Sequence, residues 1–198
     1  MNNGAAVTHV LYLHGFRSSP QSVKARQMAA WMQAYRPEVH WWCPQLPPSP
    51  REAMALLEDG MKHWPAARTG VIGSSLGGFY ATAVAEHLGC RAVLLNPAID
   101  PARDLTRYIG EISAWHSDER FFFRAEFIDE LRAISPAVLT RPERYFAVIA
   151  KGDELLSWVE MSERYRGCRI KLLDGSDHAL NDFDEHLPEV TAFLDLSV

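Results

Sequence analysis

In the segment Gly73-Ser74-Ser75-Leu76-Gly77-Gly78, one serine has glycines two positions before and two after it. It lies between an apolar run at 69–73 and a run of helical periodicity at 79–88. A G-x-S-x-G pattern in a strand-turn-helix setting is the mark of a nucleophile elbow. The glycines let strand and helix backbones approach without side-chain clash, and the sharp turn presents the Ser75 hydroxyl. Small Gly/Ser clusters also serve as plain strand-to-helix turns, so the rest of the chain has to separate the two readings. A serine hydroxyl is a weak nucleophile unless an imidazole takes its proton, and that imidazole works best when a carboxylate orients it. Lys151-Gly152-Asp153-Glu154 and Asp174-Gly175-Ser176-Asp177-His178 each follow an apolar run, and they supply a carboxylate and an imidazole.

Ser75, His178 and Asp153 are therefore the expected catalytic nucleophile, base and orienting acid. His14 rivals His178 because it too follows an apolar run. Glu154, Asp174 and Asp177 are the alternatives to Asp153. Asp153 leads because it directly follows a glycine turn at a strand end, and a carboxylate next to His178 in sequence would struggle to fold back onto the ring. The segment Leu11-Tyr12-Leu13-His14-Gly15-Phe16 reads as a different device, an H-G loop whose backbone N–H joins that of the residue after the nucleophile to bind an oxyanion. This assigns the oxyanion donors to Phe16 and Leu76.

The elements that must position these groups alternate along the chain. Strand-length apolar runs occur at His9–Leu13, 38–43, 69–72, Arg91–Leu95, Tyr145–Ala150 and 168–173. Most are continuously apolar, the pattern of parallel strands covered on both faces. Helix-length segments lie between them at 20–35, 49–64, 75–88, 158–165 and 183–194; Ser49-Pro50-Arg51-Glu52 supplies a cap, a first-turn proline and a glutamate three residues on. Such alternation predicts right-handed βαβ units in an open α/β sheet, with ligands bound outside the carboxyl ends of the strands.

One interval breaks the rhythm. Between the strands ending at Leu95 and starting at Tyr145 the connection far exceeds a usual βα loop, with expected helices at 101–108 and 124–133 and an aromatic-rich middle at 115–123. We read 97–143 as a cap or lid insertion in a single domain spanning 1–198. Phe121, Phe122 and Phe123 either pin this insertion to the core or line a substrate pocket.

The 198 residues suit one core, and 47% hydrophobic content is ordinary for a globular domain. A net charge of -5 without a basic stripe gives no footprint for nucleic acid. There is no basic, apolar leader and no apolar stretch of bilayer length, so a cytoplasmic protein without a membrane span is expected. The three cysteines have no C-x-x-C spacing and are expected to be buried thiols; the eight histidines are dispersed and form no H-E-x-x-H, so no metal site is expected.

Together these residues resemble the α/β-hydrolase superfamily, whose chain order is also Ser, Asp, His. Within it, Tyr12-Leu13-His14-Gly15-Phe16 with Ser18-Ser19-Pro20, Gly73 to Gly78, Leu95-Asn96-Pro97-Ala98, Gly152-Asp153-Glu154 and Asp177-His178-Ala179 look like the bacterial YqiA-like esterases. The resemblance implies a three-layer αβα sandwich on a mainly parallel six-stranded sheet, the first two strands of the larger hydrolases being missing, with a small helical cap. It implies the Ser75, Asp153 and His178 triad and hydrolysis of a small-molecule acyl ester or thioester without a cofactor, by a monomer or homodimer. His14, Arg17, Phe121 and Phe122 are candidate substrate-binding residues; Arg17 either binds an anionic substrate group or is a solvated surface arginine. The alternatives are a non-catalytic ligand- or partner-binding protein of the same fold, and a C–C hydrolase or cofactor-free peroxidase on the same scaffold.

Overall fold

The computed structural model describes residues 6–113 and 120–196. Trp115, part of the expected aromatic segment, lies outside the described residues. Six strands form one parallel sheet: β1 (His9–Leu13), β2 (His40–Trp42), β3 (Thr69–Ser74), β4 (Arg91–Leu95), β7 (Tyr145–Ala150) and β8 (Arg169–Leu173), in the order β2-β1-β3-β4-β7-β8. Two short strands, β5 (Gly110–Ser113) and β6 (Arg120–Phe123), pair separately as an antiparallel hairpin.

Alternate residues of each strand face opposite layers, so the continuous apolar runs feed two cores. Leu11, Leu13, Val71, Leu94, Ala147 and Ile149 pack beneath α2 (Pro50–Met61), α3 (Leu76–Leu88) and α6 (Trp158–Arg164). Val10, Tyr12, Ile72, Val93, Phe146 and Val148 pack beneath α1 (Val23–Tyr35) and α7 (Phe183–Phe193). This is the three-layer αβα sandwich that runs apolar on both strand faces require. Residues 76–85 of α3 are all buried, as a helix between sheet and insertion must be. No described helix is long and apolar enough to cross a membrane.

The register brings the functional loops to one edge. Leu13 pairs with Gly73, Ser74 with Leu95, Leu95 with Val148 and Ala150 with Leu173, so the carboxyl ends of five strands line up. The chain leaves β1 toward β2 on one side and returns across it to β3 on the other, which puts the strand-order reversal between β1 and β3. Loops at such a reversal form the crevice of open α/β sheets. His14 to Phe16 and Ser75 are the residues that leave those two strands.

The excursion between β4 and β7 differs from its sequence reading. The span expected as one helix at 101–108 is a single turn, α4 (Pro101–Asp104), followed by a 3-10 turn at Thr106–Tyr108. The aromatic stretch contributes strand β6 of the hairpin, and α5 (Glu126–Ile134) follows it. The expectation of three buried thiols holds for Cys90, whereas Cys43 and Cys168 are half-buried. Burial raises their pKa values, Cys90 to about 12 and Cys168 to about 11, which suppresses the reactive thiolate.

Candidate active site

The turn from β3 into α3 closes on Ser75, whose φ of 56° and ψ of -120° lie outside the regions a side chain ordinarily allows. Neighbouring hydrogen bonds hold it there. Its N–H donates to the Leu95 carbonyl at 2.9 Å, and its own carbonyl accepts from the N–H groups of Gly78 and Ala98 at 2.8 and 3.0 Å. The flanking glycines are required by approach. A Cβ on Gly77 would fall inside the Leu13 carbonyl, and one on Gly73 inside the Gly77 carbonyl. With these contacts the strained turn is over-determined, and the Ser75 side chain projects from the sheet edge.

His178 and Asp153 reach the same point from the loops after β8 and β7. His178 Nε2 lies 3.1 Å from Ser75 Oγ, and Nδ1 lies 2.7 Å from Asp153 Oδ2. With its proton on Nδ1, the imidazole donates to Asp153 and accepts from the serine hydroxyl. The Asp153 side chain is wholly shielded from solvent, while 17% of the His178 side chain is exposed. The second carboxylate oxygen, Oδ1, accepts from the N–H groups of Leu155 and Leu156, both at 2.8 Å. The buried charge is thus satisfied on both oxygens, as burial of a carboxylate demands. Glu154, the neighbouring alternative, accepts instead from the His178 backbone N–H at 3.1 Å. Asp174 pairs with Lys151 at 2.6 Å, and Asp177 bonds Asn181 at 2.6 Å.

His14 is placed differently from His178. Its ring is buried; Nε2 accepts from the Leu46 N–H at 3.1 Å, so the proton sits on Nδ1 and donates to the Gly15 carbonyl at 3.0 Å. Burial holds its pKa below the usual value, partly offset by the bond to Gly15. Both nitrogens are engaged in fixing the loop that follows β1. Among the described residues, neither the Phe16 nor the Leu76 N–H has an acceptor. Two unpartnered donors beside a serine hydroxyl can stabilise negative charge on an oxygen bound there.

A cavity of about 870 Å³ opens beside these donors, lined in part by His14, Phe16, Arg17, Leu46, Leu76 and Phe121. That is ample for a drug-sized acyl or aryl group. Of the candidate substrate-binding residues, Phe121 reaches this cavity, whereas Phe122 is largely exposed and lines a separate hollow of about 300 Å³. Arg17 lies on the cavity wall with its guanidinium turned to the hairpin: Nε donates to the Ser113 carbonyl at 2.5 Å and a terminal nitrogen to Ser113 Oγ at 3.2 Å.

Two residues that hold the site carry no assigned role in the sequence reading. Asn96, fully buried just after β4, donates from Nδ2 to the carbonyls of Asp177 and His178 at 2.9 and 3.2 Å and accepts from the Ala150 N–H at 2.7 Å. It ties the strand end before Asp153 to the loop that carries His178. Its position, an asparagine at the carboxyl end of a strand in Leu95-Asn96-Pro97-Ala98, was the available signal. Lys24, at the start of α1, bonds the Ala179 carbonyl, and nothing in its local sequence marks it.

The model of an uncharacterised protein family, UPF0227, matches residues 9–195. The chain belongs to UPF0227. Solved structures place this UPF0227 protein in the α/β-hydrolase fold. A protein from Agrobacterium vitis S4 is similar at a TM-score of 0.74 and 17% identity, over 96% of this chain and 90% of that one. Alpha/beta hydrolase domain-containing protein 10 from mouse is similar at 0.67 and 15%, over 93% and 87%. Est1E from Butyrivibrio proteoclasticus is similar at 0.63 and 18%, over 98% and 88%.

Proposed function

We propose that the protein is a serine hydrolase that cleaves carboxylic esters or acyl thioesters through an acyl-enzyme intermediate. The observation that carries this reading is the unbroken relay from Ser75 Oγ through His178 to a buried, doubly anchored Asp153. A serine merely closing a turn has no need of an imidazole at 3.1 Å that is itself oriented by a carboxylate.

In the proposed reaction Ser75 Oγ attacks the acyl carbon as its proton passes to His178 Nε2. The N–H groups of Phe16 and Leu76 bind the oxyanion of the tetrahedral intermediate, each such donor being worth about 3 kcal/mol in the transition state. Collapse breaks the bond to the alcohol or thiol, which leaves with the proton from Nε2. Water then gives its proton to the same nitrogen, attacks the acyl-serine, and releases the carboxylic acid as Ser75 regains its hydrogen. Asp153 holds the Nδ1 proton and favours the imidazolium without being protonated. We further read the 97–143 insertion as a cap that shapes the acyl pocket, a reading supported by Phe121 in the cavity wall and by the Arg17–Ser113 bonds.

A fluorophosphonate probe tests the assignment. Wild-type protein is expected to be labelled and Ser75→Ala to be inert, with hydrolysis of short 4-nitrophenyl esters following the same pattern. Labelling that persists in Ser75→Ala, or a folded wild-type protein that neither takes the probe nor turns over acyl esters, rules it out.

A further inference from the structure

Lys24 is an anomaly in the fold. It occupies the first turn of α1, where the helix dipole opposes a cation. It is half-buried, and burial lowers its pKa to about 8 despite Asp177 and Asp153, whose charges act on it in the opposite direction. Among the described residues, no carboxylate lies in ion-pair contact with its ammonium group. An uncharged side chain of similar length would fold here at lower cost.

What Lys24 does contact is the backbone carbonyl of Ala179, the residue after His178. The rest of that loop is held from the other directions. Asn96 grips the carbonyls of Asp177 and His178, and Glu154 accepts the His178 N–H. Three successive carbonyls around the imidazole are thus fixed by two side chains, one from behind β4 and one from α1. A charge-assisted bond is about twice as strong as a neutral one, so the ammonium is the stronger form of this anchor.

We propose that Lys24 is a positioning residue for His178, fixing through the Ala179 carbonyl the loop that aims the imidazole at Ser75. This rests on the reading of His178 as general base. Lys24 is not among the residues lining the cavity, and its bond goes to a backbone carbonyl, so its loss is expected to act on turnover and not on binding. Asp177 and Asp153 face it from the loops after β8 and β7, with Glu154 and His178 beside them, and Arg26 stands on its own helix. Burial brings the Lys24 pKa down to about 8, so its change of charge falls inside the pH range of the assay below.

The test compares wild type, Lys24→Met and Lys24→Arg in 4-nitrophenyl butyrate hydrolysis from pH 6 to 9.5, with urea unfolding alongside. Lys24→Met is expected to unfold at or above the wild-type urea midpoint, keep KM within about twofold and lose at least about tenfold in kcat. Lys24→Arg recovers most of that loss. Wild-type kcat falls to a lower plateau above pH about 8, a limb that Lys24→Met lacks. A Lys24→Met kcat equal to wild type, or raised because a cation no longer opposes the imidazolium, overturns the role of Lys24 and leaves the hydrolase reading standing. Should Lys24→Met fail to fold, Lys24→Ala takes its place, and a folded Lys24→Ala with the wild-type kcat overturns the role equally. A folded wild type inert to the fluorophosphonate and to esters removes the hydrolase reading and this role with it.

Discussion

Replacing Asn96 measures how far the candidate site depends on a fully buried residue that is not among those lining the cavity. Asn96→Ala deletes three hydrogen bonds, to the Ala150 N–H and the carbonyls of Asp177 and His178. At about 1 kcal/mol each their loss sums to about 3 kcal/mol, and the wholly buried Ala150 amide, left unpaired, adds about 1 kcal/mol more. Asn96 also sits at φ 43°, where alanine meets a steric cost of about 1 kcal/mol that glycine avoids. Asn96→Ala is thus expected to lose about 5 kcal/mol and Asn96→Gly about 4 kcal/mol. For 198 residues the unfolding entropy is about 0.4 kcal/mol per degree, so the two thermal midpoints fall by roughly 12 and 10 °C. Urea unfolding followed by circular dichroism reads the free energies, and the fluorophosphonate labelling rate reads the aim of His178. Labelling is expected to slow in both variants, by about tenfold or more, because the loop carrying the base loses two of its anchors. Free energies within 1 kcal/mol of wild type together with an unchanged labelling rate would show that the Asn96 bonds carry none of this load.

The strained turn and the buried histidine give two further predictions. Ser75→Gly should be more stable than Ser75→Ala by about 1 kcal/mol, because both lose the bond to His178 while only glycine relaxes at φ 56°; equal urea midpoints would mean that the turn stores no strain. His14 is held neutral by burial, so its folded pKa lies below its unfolded value of about 6.5. Its contribution is complete above pH 6.5 and is lost as pH falls through the folded value, by up to about 1.4 kcal/mol per pH unit. Between pH 7.5 and 5, wild-type stability should therefore fall further than that of His14→Asn, and parallel curves would refute the assignment.

That Ser75, Asp153 and His178 meet as a candidate site is legible in the sequence because each stands just beyond a continuously apolar run, and six parallel strands in register bring all such positions to one edge. The supports of these residues were harder to read for a physical reason. Asn96 closes a strand where an asparagine ordinarily signals only a turn, and its three partners lie 54, 81 and 82 positions away. Lys24 is separated from its acceptor by 155 positions and sits in a helix whose pattern explains Ala25 and Met28 but not a half-buried cation. The hairpin is not legible in the sequence because Arg120-Phe121-Phe122-Phe123 does not alternate and Gly110-Glu111-Ile112-Ser113 carries a single apolar residue, so neither run shows a period of two.

That hairpin also changes what the H-G loop can do. The Phe16 ring packs against Tyr108, Phe121 and Phe123 at centroid distances of 5.4, 6.3 and 5.3 Å, while the Arg17 guanidinium bonds Ser113. The backbone N–H assigned to the oxyanion thus belongs to a residue whose side chain is held by the insertion between β4 and β7. His14 fixes the other end of the loop by bonding Gly15 and Leu46. A group entering the cavity meets Phe121 on the wall and the Phe16 loop at its edge, and the hairpin carries the one and packs against the other. Under the proposed hydrolase function, acyl selection and oxyanion stabilisation therefore share one set of packing contacts. Exchanging aromatic residues of the insertion will alter kcat as well as substrate preference, because a donor displaced by an ångström loses most of its worth in the transition state.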